Sequence, residues 1–360
     1  MTNKAAIATD VGSAQAPEHA QIIRFSCSTS SRVHDSQLTV QHDKSQHSDA
    51  QHDKHLQTTS HLPLTMSQPT YTSKSLTNGI HALTGGTKPD TSTPIICLAG
   101  WPQTAESFAE VFPLLAQDHH VLILDPPGLG SSAPSPKDYT TKTISSILAA
   151  AVSTELGDQT KYHLIAHDIG AWIAYAWACQ FPDSLLSVTF VDAGIPGLLP
   201  PLQFPLPDAA NLRLWQFSFN ALPELPEILT KGKERDLLYW FFDLKCVHPE
   251  RITRAKRDHY VANYSKPGGM TNGFNYYRAF ASSAKQFVDE FSQVKIPVPV
   301  LAIGAEKGMG SAMESVLGIS TAEAQSRSKI VVIEDCGHFV PEEQPEIMAR
   351  EILAFIGTCR

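Results

Sequence analysis

From about residue 94 the chain sets short β-branched apolar runs against helix-length amphipathic stretches. Ile95 to Ala99 precedes 105–116, Val121 to Asp125 precedes 141–155, Tyr162 to Ala166 precedes 170–180, and Val188 to Asp192 follows. Runs without polar alternation are strands buried on both faces, and their alternation with helices predicts a mostly parallel sheet covered on both sides. The pattern returns at Val298 to Gly304, at Ile330 to Glu334 and in a helix over 342–356. Between about 197 and 290 the strand signal vanishes, and the stretch reads as helices with Pro-rich joints inserted into the sheet domain.

Residues 1–66 differ in kind. They are rich in Gln, Ser, Thr, Asp and His, lack apolar periodicity and contain the near-duplicates Gln41-His42-Asp43-Lys44 and Gln51-His52-Asp53-Lys54. Such a segment cannot bury enough apolar surface to fold, and a solvated tail is the simplest reading. Met66 stands where ordered-looking sequence begins, so a misassigned start is a second expectation for the residues before it. The expected division is a tail over 1–66, the first part of the sheet domain over 67–196, a helical cap over 197–290 and the second part over 291–360.

Thirteen of the chain's 30 aromatic residues fall between Trp215 and Phe280. The run Leu237 to Leu244 is apolar nearly all round and is expected to be largely buried. A helical insertion over the carboxyl ends of a parallel sheet forms a ligand crevice, and aromatic walls favour uncharged substrates. Composition narrows the choice further. With 360 residues, a formal net charge of −8 and no apolar run of transmembrane length, the chain reads as soluble and cytoplasmic, without a basic stripe for nucleic acid or a membrane. Six scattered cysteines without a CxxC pair suit reduced thiols, and no metal site is expected in the domain.

The strongest chemical signal is Leu164-Ile165-Ala166-His167-Asp168-Ile169-Gly170-Ala171-Trp172, a buried strand entering a helix through small-x-Asp-x-Gly. This is a nucleophile-elbow pattern with Asp where Ser is usual, and its small residues make room for a strained turn. Backbone amides at the helix start favour an ionised Asp168, and a carboxylate attacks carbon without a base. Asp335-Cys336-Gly337-His338 follows the last strand, where His338 can activate water to break an ester on Asp168. The acid that orients His338 is expected to be Asp192, with Glu306 as the other choice. After the first strong strand, Gly100-Trp101-Pro102 offers the Trp101 amide to join that of Ile169 as an oxyanion hole.

With these residues in place, the chain resembles the α/β-hydrolase superfamily over roughly 72–358, in its Asp-nucleophile branch of epoxide hydrolases and dehalogenases. Asp125-Pro126-Pro127-Gly128-Leu129-Gly130-Ser131, Trp215-Gln216-Phe217-Ser218-Phe219, Gly232-Lys233-Glu234-Arg235, Tyr264-Ser265-Lys266-Pro267, Phe274-Asn275-Tyr276-Tyr277-Arg278-Ala279 and Pro341-Glu342-Glu343 are most similar to the Cif-type epoxide hydrolases. The resemblance implies an α/β-hydrolase fold, a mostly parallel sheet with helices on both faces and a helical cap after the strand ending at Asp192. It also implies that Tyr277 protonates the epoxide oxygen, with Gln216 where the family usually has a His. Phe217, Trp172, Tyr276 and Phe339 are expected beside Gln216 around the substrate. The reaction so implied is hydrolysis of a small, apolar, uncharged epoxide to a vicinal diol through an ester on Asp168, using water and no cofactor. A homodimer is among the expected partners. Two alternatives stand beside it, a dehalogenase using the same nucleophile and a non-catalytic hydrolase-fold binding protein; Ile169 and Trp172 lack the Trp and Arg residues of the dehalogenase types.

Overall fold

The computed structural model describes residues 70–88, 90–198 and 205–359. The expected tail, its possible start at Met66 and part of the Pro-rich joint before the cap lie outside the described residues. Eight strands form one sheet: β1 Tyr71–Ser75, β2 His81–Gly86, β3 Ile95–Leu98, β4 His120–Leu124, β5 Tyr162–His167, β6 Leu185–Val191, β7 Val300–Ala305 and β8 Lys329–Ile333. Their order is β1-β2-β4-β3-β5-β6-β7-β8. The β1–β2 and β2–β4 pairs are antiparallel and the rest are parallel.

The apolar runs become central strands because both faces are covered. Along β3, Ile96 and Leu98 join a core that includes Ile144, Leu148 and Ile173 of the helices Thr141–Leu156 and Ile169–Gln180. Ile95 and Cys97 face a second core with Phe108, Phe112 and the helix Pro345–Ile356. All four of these β3 residues are fully buried.

Two local readings change, and one element was not foreseen. The expected helix over 105–116 is a 3-10 turn, Ala105–Phe108, and a short helix, Phe112–Leu115. Pro113 in the first turn of the second piece has no N–H to continue a helix from the first. The hairpin β1–β2 gave no apolar signal, because four of the five β1 residues are exposed at the sheet edge. The helix Glu234–Lys245 buries Leu238, Phe241 and Phe242 but leaves Trp240 46% exposed.

Between β6 and β7 the described residues are helical, from Asp208–Ala221 to Phe280–Gln286 and the turn Phe287–Phe291. This insertion follows the carboxyl end of β6, and the parallel strands β3, β5, β6 and β7 all run toward that same edge.

Candidate active site

The turn after β5 carries Asp168 with φ 53° and ψ −124°, a left-handed conformation that a side-chain-bearing residue adopts only under strain. Gly170 makes the turn possible, since a Cβ there would lie 2.6 Å from the Leu98 carbonyl oxygen. The Trp101 amide donates to Asp168 Oδ1 at 2.9 Å, and the Ile169 amide also hydrogen-bonds the carboxylate. Asp168 Oδ2 lies 3.3 Å from His338 Nε2. Burial opposes the charge on Asp168, but His338, His167 and the Ile169 amide outweigh it and hold the carboxyl below its ordinary range.

On its other side, His338 Nδ1 stands 2.7 Å from Asp192 Oδ2. Asp192 Oδ1 accepts from the amides of Ala305 at 2.9 Å and Met309 at 2.7 Å. Gly308 lets the loop approach this closely, because a Cβ there would meet Asp192 Oδ2 at 2.2 Å. Glu306, the other candidate acid, lies at the surface, accepting from the Asp335 amide and paired with Lys307. Burial drives the His338 ring toward the neutral form, yet Asp168 and Asp192 together raise its pKa to about 9. His167 Nε2 lies 2.8 Å from the His338 carbonyl oxygen, and burial with the neighbouring His338 charge lowers the His167 pKa to about 4.

The loop that carries His338 is pinned by Glu343, which the sequence offered only as part of a family motif, and by the end of an inserted helix. Glu343 is buried and accepts from the amides of Gly337, Phe339, Val247 and His248. The His338 amide donates to the Lys245 carbonyl at 2.9 Å, so the end of a cap helix is fixed against the loop that carries His338.

Tyr277 is buried, its ring edge-on to Trp101 at 5.5 Å, Phe217 at 5.5 Å and Trp172 at 5.8 Å. Three neighbouring cap tyrosines have committed hydroxyls: Tyr260 donates to Glu342, Tyr264 to the Gln103 carbonyl and Tyr276 to the Pro127 carbonyl. Tyr277 instead has Asn220 beside its hydroxyl, and burial and the Asp168 charge push its pKa well up, so the phenol stays protonated.

Asp168 and His338 open on a cavity of about 320 Å³, near the small end of the roughly 300–1,000 Å³ of small-molecule sites. Trp172, Gln216, Phe217 and Phe280 line it, and Gln216 Oε1 is buried without a partner. Two expected lining residues stand elsewhere. Tyr276 packs its ring on Tyr139 and gives its hydroxyl to Pro127, which places it in the joint between cap and core. Phe339 is fully buried against His338, Phe241 and Phe242 and supports the histidine from behind. The expectation of a purely uncharged substrate also meets a difficulty, because Arg213, Lys245 and Lys307 line the same cavity. A lone Lys ending an apolar helix was a weak signal, since a cation there is also ordinary helix-end electrostatics.

Among the described residues no group of three or more His, Cys, Asp or Glu could hold a metal, and no helix is long and apolar enough to cross a membrane.

A family model described as alpha/beta hydrolase fold matches residues 93–345. A soluble epoxide hydrolase of Corynebacterium sp. (strain C12) is 26% identical over 285 residues, covering 78% of this chain and 94% of that protein. Among solved structures, wild-type Cfl2 from Burkholderia cenocepacia is 33% identical with a TM-score of 0.71, covering 79% of this chain and 95% of that one. The Cif epoxide hydrolase from Acinetobacter nosocomialis is 22% identical with a TM-score of 0.70, covering 81% and 90%, a likeness of fold.

Proposed function

Since this chain belongs to the alpha/beta hydrolase fold family, we propose that it hydrolyses an epoxide to a vicinal diol through an ester on Asp168. The observation that carries the reading is the chain of contacts Asp168, His338, Asp192, with Asp168 Oδ2 3.3 Å from His338 Nε2 and His338 Nδ1 2.7 Å from Asp192. The epoxide hydrolase among its relatives supports it.

The Trp101 amide holds Oδ1 of Asp168, and Oδ2 serves as the nucleophile. It attacks an epoxide carbon, the carbon–oxygen bond breaks, and the oxygen takes the Tyr277 proton. The phenolate takes the proton of the His338 imidazolium, whose hold weakens once Asp168 is no longer a carboxylate. Neutral His338 then accepts a proton from water as the water oxygen adds to the ester carbonyl. The oxyanion rests on the Trp101 and Ile169 amides. Its collapse expels the diol, which leaves with a proton from His338, and His338 recovers the proton left on the regenerated Asp168 carboxyl.

The test is intact-protein mass of His338→Gln after exposure to panels of epoxides and haloalkanes. The expected result is a gain equal to a whole epoxide, the ester stranded without its base. A gain equal to a haloalkane less its halide moves the assignment to a dehalogenase. A folded protein with no adduct from either panel favours the binding-protein reading.

A further inference from the structure

The cavity holds more positive charge than its own chemistry requires. Its two carboxylates are already engaged, Asp168 by the Trp101 amide and His338, and Asp192 by the Ala305 and Met309 amides and His338. Lys307 is paired with Glu306. That leaves Lys245 and Arg213.

Lys245 ends the helix Glu234–Lys245, with Nζ over the Phe241 ring at 4.6 Å from its centre. Among the described residues no carboxylate lies within salt-bridge distance of it. Its backbone carbonyl accepts from the His338 amide, and the residue lines the same cavity as Asp168 and His338. Arg213, an exposed residue at the cavity, gives one N–H to the Gly308 carbonyl at 3.0 Å, and among the described residues the rest of its fork has no acceptor. The buried Gln216 amide, its oxygen unpartnered, shares the same cavity.

A half-buried ammonium on an aromatic wall without a counterion is unfavourable unless something anionic completes it. Burial lowers the Lys245 pKa to about 8, with Asp168 and Asp192 restraining the fall, so the group is still mainly charged at neutral pH. An anionic reactant approaching the Asp168 carboxylate would be repelled, and a cation beside the nucleophile offsets that repulsion. Once Asp168 is esterified the cavity loses a negative charge, and an anion on the substrate restores it.

We propose, resting on the epoxide reading above, that the substrate is a short epoxide bearing an anionic group, a carboxylate or its phosphonate equivalent, received by Lys245 and Arg213. The anion is held at the cap side of the cavity while the reacting carbon meets Asp168.

The test compares glycidate with glycidamide, which share a skeleton and differ in charge, and adds 2,3-epoxypropylphosphonate. A charge-assisted contact is worth roughly ten- to a hundredfold. The expected kcat/KM is therefore about tenfold or more higher for glycidate than for glycidamide, with the ratio reduced to about twofold or less in Lys245→Met and lowered in Arg213→Gln. Melting curves confirm that both variants are folded. A phosphonate turned over faster than glycidate supports the proposal and identifies the group.

Equal turnover of the charged and neutral epoxides, or a preference that survives Lys245→Met, overturns it and leaves the epoxide reading intact. Binding of the unreactive isobutyrate against isobutyramide, followed by calorimetry, separates the two ideas. Isobutyrate binding that is lost in Lys245→Met, with no epoxide turned over, keeps the anion site and overturns the epoxide reading. Release of halide from a 2-chloroalkanoate with the same Lys245 dependence does likewise. No preference for isobutyrate overturns the anion site.

Discussion

His338 is held between two carboxylates, and its charge state depends on whether one of them is present. With both ionised the ring has a pKa of about 9; when Asp168 is esterified, only Asp192 is left to support it. An opposite charge at this range moves a pKa by roughly one to three pH units. In Asp168→Asn the His338 pKa is therefore expected to fall by that amount, as measured by NMR titration of the ring protons, and an unchanged value would contradict the proposed handover of the proton. The sign for stability follows. Because the folded value lies above the ordinary histidine value of about 6.5, the charged ring favours the fold below that pH, and its contribution is lost as pH rises through about 9. Asp168 and Asp192 were legible in the sequence because each stands directly after a strand, and His338 because it lies in the short loop between the last strand and the next helix, where few other roles compete. Lys245 was not, since its partners in space are 77 and 93 positions distant, by subtraction from Asp168 and His338.

The loop after β7 shows the same logic one level up. Residues 305–309 wrap Asp192 with two amides, and Gly308 packs where any side chain would strike the carboxylate. Gly308→Ala must shift the loop or Asp192, and misplacing an orienting group by a fraction of an ångström slows the step that depends on it. Ester hydrolysis is expected to slow by about tenfold or more, so that mass spectrometry during turnover detects an Asp168 adduct in this variant and not in the parent. Unchanged kcat with no adduct would sink the claim. Strands with two covered faces, such as β3 and β5, were legible because the apolar run itself records the burial. The edge strand β1, Tyr-Thr-Ser-Lys-Ser, records nothing of the kind. Its place is set by pairing with β2, a contact between backbones that leaves little trace in side-chain type.

At the scale of the molecule, cap and core are joined by buried tyrosine hydroxyls. Tyr260, Tyr264 and Tyr276 reach from the cap to Glu342, Gln103 and Pro127. Tyr276→Phe leaves the Pro127 carbonyl without that donor, at about 1–3 kcal/mol, and should lower the melting temperature by roughly 2–6 °C. The neighbouring Tyr277 makes no such bond, so this substitution should leave the Asp168 adduct of the His338→Gln background intact. A melting temperature equal to the parent's would show that Tyr276 does not join the two parts.

The sheet has a gap in time as well as in sequence. β6 is completed at Val191, yet its partner β7 begins only at Val300. During synthesis the chain therefore carries an unpaired inner strand edge while the whole cap is being made, a stage at which exposed edges invite aggregation. Asp168 and Asp192 precede the inserted helices and His338 follows β8, so the three groups can meet only once the chain beyond β8 has been made.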